Sequence, residues 1–105
     1  MPLYKSKLRG DGVVLNYIYE IIDNKEVLHC EHGPAIFNNN FEEWYQNGHK
    51  HRREGPAVFI KKQNYIRAEW WVNGVLHREN NKPAIVDSEG VMEYWQNGEQ
   101  INSTS

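Results

Sequence analysis

The chain has 105 residues, a formal charge of −2 and 39% apolar residues, so it holds one domain with a modest core. That charge gives a polyanion no long-range field, which disfavours general nucleic-acid or anionic-membrane binding. A lone cysteine, Cys30, excludes an intramolecular disulfide and fits a reducing compartment. The opening MPLYKSKLRG lacks the apolar core of a secretory leader, and no apolar run approaches the ~20 residues of a membrane span. A soluble, cytoplasmic chain without a membrane partner is expected.

In chain order the sequence reads as units of one repeat. Residues 8–18 begin with LRGDGVV, an echo of HRREGPAV at 51–58, and form a partial first unit. Residues 19–41 carry Glu20 four places before Asn24, then His29 and Gly33-Pro34-Ala35, with Lys25 in the turn where later units have glycine. Residues 42–67 and 68–91 are the full copies: EEWYQNGHKHRREGPAV is rewritten as AEWWVNGVLHRENNKPAIV. Residues 92–101 stop at Ile101 as a partial cap, and 102–105 form a polar tail expected to fray. A unit of this length cannot bury its own apolar face, so stacked neighbours must supply the partner.

Asn-Gly between residues of high strand propensity is a hairpin signal, because a type I′ turn needs positive φ at both central positions. Helix loses: no segment keeps 3.6-residue apolar spacing, and Gly or Pro interrupts every candidate. A second strand begins after each Gly-Pro or Lys-Pro, since proline suits a strand's first position. The fold class is therefore all-β, a continuous antiparallel meander of tandem hairpins, with rolling of the sheet on itself as one way to cover a face. Two-residue loops at Asn47-Gly48 and Asn73-Gly74 predict Trp44 opposite His51, Glu43 opposite Arg52, Trp70 opposite His77 and Glu69 opposite Arg78. These six ladder residues and two arginines thus have a structural reading before any catalytic one.

Alternation places Trp44, Trp70 and Tyr94 on one face and Tyr45, Trp71 and Trp95 on the other. A sheet with aromatics on both faces needs a second layer, another copy or a partner. Tyr45, Trp71 and Trp95, flanked by Arg52 and Arg78, are the candidate partner-binding residues, being aromatics and arginines of the kind that anchor interfaces. On this reading Trp71→Ala abolishes binding and leaves melting intact.

Chemistry is mostly declined. His29, Cys30 and His32 (HCEH) do not have the spacing of a known zinc site, and neighbouring residues on a strand face opposite ways. The recurring glutamates Glu20, Glu43, Glu69 and Glu93 follow the repeat period, which argues for stacking rather than paired acid–base work. Arg9-Gly10-Asp11 matches the cell-adhesion tripeptide by chance alone. No catalytic residue, metal or cofactor is expected.

The W-x-NG-x-x-HR pattern of Trp70, Asn73, Gly74, His77 and Arg78, with Pro83 and Ala84, and its twin Trp44, Asn47, Gly48, His51, Arg52, Gly55, Pro56 and Ala57, resembles MORN-type repeats. The pattern looks specifically like the variant of YwqK-like bacterial antitoxins and the W-x-NG-x-x-HR-x-x-GPA form common in phage and giant-virus proteins. Departures are Lys82 before Pro83, Lys25 in the turn and Cys30 after His29. The resemblance implies a hairpin scaffold for binding a protein partner, in the setting of an inhibitor of a host factor or an antitoxin-like neutraliser. The alternatives are a structural homo-oligomer assembled through sheet edges or aromatic faces, and a single-stranded nucleic-acid binder using the aromatics with HKHRR at 49–53.

Overall fold

A computed structural model describes residues 3–20 and 25–101. Its reversals sit where the Asn-Gly pairs predict. φ is 49° and 83° at Asn47-Gly48 and at Asn73-Gly74, and 51° and 84° at Asn97-Gly98, the left-handed pair a type I′ turn requires. The glycines are needed twice over, because each also meets the preceding unit. A Cβ would stand 3.1 Å from Val27 Cγ1 at Gly48, 3.2 Å from His49 Nδ1 at Gly74 and 3.3 Å from Val75 Cβ at Gly98.

Fourteen strands are defined among the described residues: β1 (Leu3–Leu8), β2 (Val14–Glu20), β3 (Lys25–Leu28), β4 (Ile36–Phe37), β5 (Phe41–Glu43), β6 (Tyr45–Gln46), β7 (His49–Lys50), β8 (Val58–Lys62), β9 (Tyr65–Glu69), β10 (Trp71–Val72), β11 (Val75–Leu76), β12 (Ile85–Asp87), β13 (Met92–Gln96) and β14 (Glu99–Ile101). Ten join one antiparallel sheet in the order β1-β2-β4-β5-β8-β9-β12-β13-β14, with β3 also on β2. β6–β7 and β10–β11 are separate hairpins. The fold is all-β, and the sheet is not closed into a barrel. As expected, β4, β8 and β12 start just after Pro34-Ala35, Pro56-Ala57 and Pro83-Ala84.

Those alanines are the core's fixed points, each with 0% exposure. Ala35, Ala57 and Ala84 donate their amides to the carbonyls of Glu43, Glu69 and Glu93 at 2.8, 2.8 and 2.7 Å. Their own carbonyls accept from Asn16, Trp44 and Trp70 at 2.6, 2.7 and 2.7 Å. No large side chain among the described residues is fully buried, and the molecule measures 49 × 32 × 18 Å. All four tryptophans therefore stay partly exposed.

Two expectations are corrected. Tyr45 opposes Lys50 and Gln46 opposes His49 as counted, and the His51 amide still reaches the Trp44 carbonyl at 3.0 Å. The ladder then ends. Glu43 pairs with Ile36 and Val58, and Glu69 with Val58 and Ile85. The Arg52 and Arg78 amides instead donate to Trp71 and Trp95, at 3.1 and 3.3 Å. The arginine is where the chain passes from its own hairpin to the next unit's, so no Glu43–Arg52 or Glu69–Arg78 rung forms.

The second correction concerns the start of the array. Asn16 receives the amide of His29 at 3.2 Å, as Trp44 receives that of His51, and Tyr17 pairs with Leu28 as Tyr45 pairs with Lys50. The first complete unit is thus anchored on Asn16 with a longer hairpin, and the expected boundary between 18 and 19 falls inside β2. The expected turn at Asn24 and the tail at 102–105 lie outside the described residues. Residues 9–13 form the loop joining β1 to β2 rather than a counterpart of 52–56. The extra residue between His77 and Pro83 is absorbed by Asn80 and Asn81, with φ of 66° and 55°.

Candidate interaction surface

Three side-chain devices recur along the array. The first is a histidine latch directed at the following unit. Asn47, Asn73 and Asn97 donate their backbone amides to Nδ1 of His29, His51 and His77 at 2.9, 2.9 and 3.0 Å. Beside each latch, the amide of Gly48, Gly74 or Gly98 bonds the carbonyl of Leu28, Lys50 or Leu76 at 2.8, 2.8 and 2.9 Å. Nδ1 is the acceptor, so the proton of the neutral ring is on Nε2. That nitrogen lies 3.7 Å from Glu31 in His29 and 3.7 Å from Glu79 in His77. His51 has Arg53 two residues on. Burial first, and then the Arg53 charge, push the His51 pKa below its ordinary value.

The second device is guanidinium on indole. Arg52 Cζ lies 3.7 Å from the Trp44 ring centroid and Arg78 Cζ 3.6 Å from that of Trp70. Arg52 also donates to the Pro56 carbonyl at 3.3 Å, and Arg78 to that of Pro83 at 3.1 Å. Such stacking contributes about 0.5–1 kcal/mol at exposed sites and more when desolvated. In the first unit both partners are replaced together. Asn16 stands in the indole's place and Cys30 in the arginine's, and the Asn16 amide group caps the Pro34 carbonyl at 3.1 Å.

The third device explains the periodic glutamates. Glu43, Glu69 and Glu93 accept from the Tyr45 hydroxyl and the Trp71 and Trp95 indoles at 3.1, 2.8 and 3.1 Å. Burial and the Glu43 charge raise the Tyr45 phenol to about 12. Lys50 Nζ covers the Trp71 ring at 4.7 Å.

The nominated residues therefore fall into two sets. Arg52 and Arg78 sit with Trp44 and Trp70, whereas Tyr45, Trp71 and Trp95 are tied to glutamates. Two open clefts follow the arginine side. One, of about 530 Å³, lies between the loops 51–55 and 77–82 and includes Trp70; the other, of about 510 Å³, includes Trp44, His51 and Arg52. None of Tyr45, Trp71 and Trp95 lines either cleft. The ladder residues Trp44, Trp70, His51 and His77, assigned structural work by the sequence, are also cleft-lining residues.

Other motifs are spent internally. Arg9 and Asp11 of the adhesion-like tripeptide bind each other at 2.6 and 3.2 Å, holding the Asp11 pKa down. Within HCEH, Nδ1 of His29 is occupied by the latch, and no group of three or more His, Cys, Asp or Glu that could hold a metal occurs among the described residues. Among the described residues no helix is long and apolar enough to cross a membrane. No family model, curated protein or solved structure matches the chain.

Proposed function

We propose that the protein is a non-catalytic docking module for a protein partner, and that the row of clefts along Trp44, Arg52, Trp70 and Arg78 is its binding face. The observation that carries this reading is that Trp44 and Trp70 stay partly exposed in open clefts, each with an arginine stacked on its ring, in a slab only 18 Å deep. Aromatic and arginine side chains presented in open clefts are the groups that dominate interface energetics. The repeat resemblance supports the same class, and with it a MORN-like identity and a cytoplasmic inhibitor or antitoxin-like role.

End-to-end self-assembly is less favoured by the termini of the array. In the last unit Ile101 stands where His51 and His77 stand, so that position cannot latch another Asn-Gly turn. At the other end β1 covers β2 and turns out an edge carrying Lys5 and Lys7, a common guard against strand addition.

The test is affinity capture of the partner, followed by hydrogen exchange on the purified complex. Protection is expected over residues 51–57 and 77–84. Capture of no protein, or protection confined to β1 or to the opposite turns at 62–65 and 87–91, overturns the proposal.

A further inference from the structure

We infer that the larger cleft is a receptor for a carboxylate side chain from an acidic segment of the partner. This deepens the docking reading and rests on it. The two arginine–indole stacks differ in one respect: Arg52 has Glu42 at 3.7 Å, but the residue corresponding to Glu42 in the next unit is Ala68. Arg78 is left with Trp70 and the Pro83 carbonyl, and no carboxylate among the described residues pairs with it. It is half-buried, and burial without a counter-ion pulls its pKa down. A half-buried guanidinium with donors to spare is set up for an incoming anion.

Two more cations meet it. Arg53 and Lys82 are exposed, line the same cleft, and have no carboxylate partner among the described residues. Lys82 stands where the preceding unit has Gly55, so this charge belongs to one cleft alone. Trp70 offers the methylenes of a glutamate an apolar wall. Glu54 and Glu79 stand in the same lining. They oppose a continuous chain of phosphates but leave room for a discrete carboxylate held between guanidiniums.

The test uses a fluorescein-labelled hexaglutamate peptide, followed by anisotropy at low and at physiological ionic strength, with an oligothymidylate of equal charge in parallel. Wild type should bind the peptide more tightly than the oligothymidylate. The double variant Arg53→Gln/Lys82→Gln should bind about tenfold more weakly, since losing charge-assisted hydrogen bonds on this scale corresponds to about 1.4 kcal/mol. Arg78→Gln should do the same, and Lys62→Gln, away from the cleft, should match wild type. Arg78 also holds Pro83, so if its variant melts early the double variant, which breaks no hydrogen bond or ion pair among the described residues, decides. Absence of peptide binding by wild type, an unaffected double variant, equal loss in Lys62→Gln, or tighter binding of the oligothymidylate overturns the inference. A captured partner protecting 51–57 and 77–84 whose affinity ignores Arg53→Gln/Lys82→Gln overturns it too, while leaving the docking face in place.

Discussion

His29 is the best place to test whether units are joined by their histidines. Its ring is 7% exposed, and Nδ1 takes the Asn47 amide at 2.9 Å. Replacement by leucine keeps most of the volume and removes the acceptor, so the expected loss is the net value of one hydrogen bond, about 1 kcal/mol. Replacement by alanine adds a cavity, for a total of about 2–3 kcal/mol. For a domain of this size each kcal/mol moves Tm by about 4–8 °C, so leucine should lower it by about 5 °C and alanine by about 10–20 °C. The informative assay is amide exchange: protection at Asn47 should fall in His29→Leu, while Asn73 and Asn97, latched by other histidines, change little. Unchanged exchange at Asn47 with an unchanged Tm would refute the latch.

Gly98→Ala should cost more than Gly90→Ala in thermal melts. Both have positive φ, but only at Gly98 does the added methyl meet a fixed neighbour, Val75 Cβ at 3.3 Å. Equal losses would show that the units do not press on the turn. Because the folded pKa of His51 lies below its unfolded value of about 6.5, its contribution is complete above that pH and is lost as pH falls through the folded value. Wild-type Tm should therefore fall on acidification below about pH 6.5, and His51→Leu should flatten part of that slope. Trp71→Ala should lower Tm, at a cost of about 2 kcal/mol for a half-buried ring, because Glu69 and Lys50 both hold its indole. Intact melting with lost partner capture would restore Trp71 to the binding surface.

The Asn-Gly turns and the strands after proline were legible because their causes are local: positive φ, and a missing amide donor. The Glu43–Arg52 rung was not, because period-two counting assumes that a hairpin ladder continues. The ladder stops at Trp44, where main-chain bonding passes to other units. The histidines point across units by 18 to 22 residues, and in the sequence this shows only as each histidine being followed by another Asn turn. The shift of the first complete unit had one faint sign. A chain lacking both the indole and the arginine of its pattern needed some other cap for Pro34, and Asn16 was the amide within reach. The sequence grouped Arg52 and Arg78 with Tyr45, Trp71 and Trp95, whereas the structure stacks these arginines on Trp44 and Trp70, since Trp44 and Tyr45 are adjacent and face opposite ways.

Every latch is donated by one unit and accepted by its predecessor, so the joint between units is the same wherever it is cut. A segment excised from one tryptophan to its counterpart, for instance residues 44–69, would bring His29 to the turn at Asn73 and carry away a complete set of donors and acceptors. Arrays of other lengths are then reachable by whole-unit duplication or loss, and Ile101, in the histidine's position, offers no imidazole to accept the amide of a further Asn turn.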